Sequence, residues 1–96
     1  RSDKNELRYQ MSDSVISRDY EEAMRNEEFM NFMHIKLDKR RVARASKTMI
    51  YVIWNMWLEK KNAEEHEDYF TYNDLRMMDE QLNEEINYVI MNVSCE

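Results

Sequence analysis

The chain has 96 residues, a formal net charge of −6 and 35% charged residues, which fits one domain able to bury a core without covalent staples. Its one cysteine, Cys95, excludes a disulfide framework within the chain and a cysteine-based zinc site. Gly and Pro are both absent, where average usage would give roughly ten of the two together, and this excludes Gly-rich phosphate loops and Rossmann turns.

Strand-rich folds lean on Gly and Pro for hairpins and bulges, whereas helices do without them. The composition therefore predicts an all-α fold with short connections capped by Asn, Asp, Ser and Thr. Arg1 in place of an initiator Met reads as a fragment or processed chain, forming a single helical domain over residues 1–96. No basic stretch followed by an apolar run marks a signal peptide.

In chain order, the first helix is expected over about Asp3 to Ile16, with Asp3 and Glu6 at capping-box spacing and Leu7, Met11 and Val15 on one stripe. The segment SVISRD interrupts that stripe, with Ser17 and Asp19 as candidate N-caps. A second helix is expected over about Asp19 to Leu37, carrying Tyr20, Ala23, Met24, Met30, Met33 and Leu37 on one face, widened by Phe29 and Phe32. Its early glutamates and late lysines suit the helix dipole. Asp38 either caps the next helix or lies inside a longer rod.

The third helix is expected over about Lys39 to Lys61. Val42, Ala45, Met49, Val52 and Met56 follow the alternating three–four spacing of a bundle seam. Its second half, TMIYVIWNMWLEK, is apolar nearly all round, as in a helix that is buried centrally or serves two partners. Fewer than the about 20 apolar residues of a membrane span are present, and charges flank the run. After the acidic connection NAEEHEDYF, Thr71 and Asp74 form a capping box for a fourth helix, expected from about Tyr72 to Val93. The expected architecture is a compact bundle of about four helices of unequal length with the third one central; a three-helix bundle is the alternative.

Charge is unevenly placed. Residues 1–35 carry net −3, residues 36–47 net +5 and residues 48–96 net −8. The basic segment makes Arg40, Arg41, Arg44 and Lys47 candidate anion contacts, because phosphate binding needs several cations on one surface. The acidic chain as a whole disfavours nucleic acid, and the simpler reading is attraction between helices.

Motifs for chemistry are lacking. A di-iron bundle needs Glu-x-x-His on two helices, but Asn31 and Ala63 stand three residues before His34 and His66. The cluster EEHED, Glu64 to Asp68, has no partner pattern and reads as a solvated charge run. His34 has no nucleophile in any local signature beside it. No catalytic, cofactor or metal residues are assigned. Asn92-Val93-Ser94 matches a glycosylation sequon at the rate chance predicts. The nine methionines fit core gaps or adaptable binding faces.

The stretch YVIWNMW, Tyr51 to Trp57, is similar to an Ile-Trp-Asn segment in PHIST-type helical domains of malaria parasites, which are exported host-cell-remodelling modules. The similarity spans a small part of the chain, and the later tryptophans of that family are missing. It implies a helical fold around Trp54.

The function expected from these residues is a non-enzymatic helical module for protein–protein interaction or structure, with self-association through the third helix as one form. Its candidate interface is Tyr51, Trp54 and Leu58 with Asn55 at the edge, since Tyr and Trp are enriched at binding hot spots. Nucleic-acid or anionic-surface binding through residues 36–47 is the alternative. A designed bundle without natural function is a further one, opposed by low Ala and Leu and high Met.

Overall fold

Without glycine, the commonest left-handed helix ending is not available to the chain. The computed structural model describes residues 13–95, and none of them has a positive φ. Three helices end in extended backbone instead, with Leu37 at φ −133°, Ala45 at ψ 143° and Val93 at φ −119°, whereas the helix before His66 ends at ψ 55°. It enters the next helix through a polar cap. Five helices result among the described residues: α1 (Asp13–Arg25), α2 (Glu27–Lys36), α3 (Lys39–Arg44), α4 (Lys47–Glu65) and α5 (Tyr72–Asn92). The fold is all-α, and the described residues contain no strand.

The caps are the residue types that the composition predicts. Asn26 Oδ1 accepts the Phe29 N–H at 2.9 Å, Asp38 Oδ1 that of Arg41 at 2.9 Å, and Ser46 Oγ that of Met49 at 3.1 Å. Thr71 and Asp74 close a reciprocal capping box at 3.1 and 2.9 Å. Each such cap satisfies an N–H that the first helical turn leaves without a partner.

Several expected boundaries move. Residues 3–12 of the first predicted helix lie outside the described residues. The break at SVISRD does not occur: Ser17 and Asp19 are inside α1, because the stripe of Ile16, Tyr20 and Ala23 continues across them. The second predicted helix divides at Asn26 and the third at Ala45–Ser46. At the other end α4 runs on to Glu65, drawn by Ala63, which is buried. The fourth predicted helix corresponds to α5.

The central position foreseen for the third helix falls to α4, which packs against both α1 and α5. Ile50 and Ile53 from α4, Phe29 and Met33 from α2, and Leu82 and Val89 from α5 are fully buried. An aromatic cluster ties α2 to α4. Phe29 meets Trp54 edge-on at 5.0 Å and Trp57 at 5.3 Å, and the two indoles stack at 5.6 Å. Pairs of this geometry add about 0.5–1.5 kcal/mol each beyond the area they bury. Ion pairs reinforce the same contacts from outside: Lys60 to Asp79 on α5 at 3.0 Å, and Lys61 to Glu28 on α2.

Candidate interaction surface

The predicted interface on the long apolar helix is for the most part core. Trp54 is 3% exposed and Tyr51 6%. α2 lies across this face and supplies Phe29 as its partner, so the second apolar side of the helix is satisfied within one chain. Asn55 is half-buried and donates its side-chain N–H to the Tyr51 carbonyl at 2.8 Å. Leu58 alone of the four is exposed. It lines an open hollow of about 280 Å³ with Trp57, Lys61 and Asn26.

The basic segment is engaged differently from the attraction to acidic helices that its charge suggested. Three arginines converge on the backbone just past the end of α5. Arg41 Nε donates to the Val93 carbonyl at 3.0 Å, Arg44 Nη1 to Ser94 at 3.1 Å and Arg40 Nη1 to Cys95 at 3.2 Å. A helix C-terminus presents unpaired carbonyls and the negative end of its dipole, so cations are favoured there. Lys47 instead lies over the Tyr20 ring, 5.6 Å from its centroid. Three of the four candidate anion contacts thus hold the chain's own carbonyls.

Asp38 completes this cluster. It pairs with Arg41 Nη1 at 2.7 Å and accepts from the Cys95 thiol at 3.3 Å. The Arg41 backbone N–H is the main cause that lowers the Asp38 pKa from 3.8 to about 2; partial desolvation opposes it, and the Arg41 guanidinium and the Cys95 thiol assist. Desolvation, followed by the hydrogen bond to Asp38, raises the Cys95 pKa, so the thiol stays protonated and is a poor nucleophile.

The remaining candidates for chemistry stay apart. His34 is exposed in the last turn of α2. His66 is exposed at the end of α4, its Nδ1 2.7 Å from the Asn62 carbonyl. No group of His, Cys, Asp and Glu among the described residues is arranged to hold a metal ion. No described helix is long and apolar enough to cross a membrane. Asn92 of the sequon is exposed, with its side-chain N–H on the Tyr88 carbonyl at 2.8 Å.

What the sequence pattern did not single out is the outer face of α5. Its inner face, Leu82, Ile86 and Val89, is buried against α4, yet Met77, Tyr88 and Met91 on the opposite side are 54, 53 and 83% exposed. Met77, Glu84 and Met91 recur at heptad spacing, which on a straight helix drifts only about 20° per repeat. Tyr88 lies between the last two on the same side. At the N-terminal end of this stripe, Tyr69, Phe70, Met77 and Met78 line an open hollow of about 340 Å³ with Asp74 and Gln81. Single exposed apolar residues are ordinary, but aligned ones beside a hollow form a surface another chain can cover.

No family model, curated protein or solved structure matches the chain. The likeness of residues 51–57 to PHIST-type domains therefore stands on those residues alone.

Proposed function

We propose that this chain is a non-enzymatic helical interaction module whose contact surface is the outer face of α5. The observation that carries the reading is the placement of the large apolar side chains. Those of α4 are mostly enclosed by α1, α2 and α5, whereas Met77, Tyr88 and Met91 share one uncovered side of α5. A partner helix laid along that side would meet Met77 and Met91 about 21 Å apart, at 1.5 Å of rise per residue. Methionine suits such a contact because its flexible, polarisable side chain adapts to a partner. The interface moves from Tyr51 and Trp54, which are core, to residues one helix away. The anionic-ligand reading loses ground because Arg40, Arg41 and Arg44 already donate to carbonyls of the same chain.

The test uses protein labelled at the methionine methyl groups and a neutral amphipathic helical peptide of leucine, alanine and glutamine. Binding at this face shifts the Met77 and Met91 methyl signals and leaves that of the buried Met33 in place. Shifts confined to other methionines would overturn the assignment, as would the absence of any shift at millimolar concentration of both this peptide and one carrying arginine on its polar face.

A further inference from the structure

The charges along the α5 stripe bear on what covers it. Glu84 sits midway between Met77 and Met91 on the exposed side, and it makes no ion pair or hydrogen bond among the described residues. Its neighbours Glu80 and Glu85 add negative charge around it, and only Glu80 has a cation, Arg76 at 3.2 Å. Suppose a second copy used this face through a two-fold axis. An antiparallel pairing that sets Met77 on Met91 also sets Glu84 against Glu84 of the other copy. A parallel pairing in register does the same. Like charges opposed at the centre of an interface work against it, and desolvation makes the cost larger.

Resting on the proposed docking role of α5, we infer that the partner is a cationic amphipathic helix of another protein. It places apolar side chains on Met77, Tyr88 and Met91 and a Lys or Arg on Glu84. The acidic residues supply both attraction and selectivity: they repel a second copy and any acidic helix, and they pair with a basic one. The basic segment of this chain is a poor occupant, because Arg40, Arg41 and Arg44 are committed to the backbone beyond α5.

The experiment compares three helical peptides of roughly 18 residues, about five turns, with the same apolar stripe and arginine, glutamine or glutamate opposite Glu84. Affinity is read from the Met77 and Met91 methyl shifts. The arginine peptide is expected to bind roughly tenfold tighter than the glutamate peptide, by the arithmetic of about 1.4 kcal/mol per decade. In Glu84→Lys the order of the two charged peptides should reverse, and light scattering should find the wild type monomeric. Equal binding of all three peptides at this face would overturn the cationic partner and leave the docking role intact. Failure of all three to reach Met77 and Met91 would overturn both. A wild-type dimer whose dilution moves the Met77 and Met91 signals would overturn the choice of another protein over a second copy.

Discussion

Helices α4 and α5 both carry large apolar residues on more than one side, yet only one of them is enclosed. α4 has α1 and α5 against it, and Phe29 of α2 closes over Trp54 and Trp57. α5 packs through one side on α4 and is otherwise fixed at its ends. The Thr71–Asp74 box holds its start, and the three arginines from α3 hold the backbone beyond its finish. A helix apolar all round can therefore be the quieter one, because its neighbours satisfy it. The helix that looks conventionally amphipathic keeps the uncovered surface. The number of neighbours, rather than apolar content, separates core from contact.

The sharpest way to break this comparison is Trp54→Ala. If Trp54 is core, its removal leaves a cavity beside Phe29 and Trp57 and costs about 3–5 kcal/mol, the range for large-to-small changes at buried aromatics. Urea unfolding would read this as a lower midpoint. A loss below about 0.5 kcal/mol, the size of an ordinary surface substitution, would return Trp54 to the surface.

That outcome bears on how much of the molecule could be read in advance. The all-α class follows from the absence of Gly and Pro, and the caps at Asp38 and Thr71 are local patterns of a few residues. The breaks at Asn26 and Ser46 were also signalled locally. Asn26 precedes Glu27 and Glu28, an N-cap with an acidic first turn, but the apolar spacing ran smoothly across both sites and hid them. The placement of Tyr51 and Trp54 was not legible, since it depends on α2 folding back over α4. Nor was the arginine cluster, in which residues 40–44 meet residues 93–95 across most of the chain. Charge patterning found the cations but not their acceptors, because backbone carbonyls leave no mark in composition.

Acid should loosen α5 from its far end while α4 stays closed. Asp38 has a folded pKa of about 2 against an ordinary 3.8, so it favours the folded state at all pH above the ordinary value. That contribution is lost as pH falls from about 4 through about 2. Protonation weakens the pairing with Arg41, whose Nε holds the Val93 carbonyl. Amide exchange at residues 90–93 is expected to quicken across this window before exchange at residues 50–54 does. In Asp38→Asn, which keeps a capping side chain, that acid-dependent difference should flatten. An unchanged profile in the variant would assign the acid effect to other carboxylates.

The smallest expected effect is on stability at the outer face, and it is informative because it is small. Met77→Gln and Met91→Gln replace exposed side chains with polar ones of similar length and leave the inner residues Leu82, Ile86 and Val89 untouched. Each should change unfolding free energy by no more than about 0.5 kcal/mol. Their combination should be additive, because the two sites are about 21 Å apart along the helix. The same pair of substitutions should remove binding of the arginine peptide. A double variant that folds as well as the wild type and no longer binds would separate the two sides of α5, one for folding and one for contact. A loss of several kcal/mol would mean that these methionines are covered in the folded chain, and the contrast with α4 would disappear.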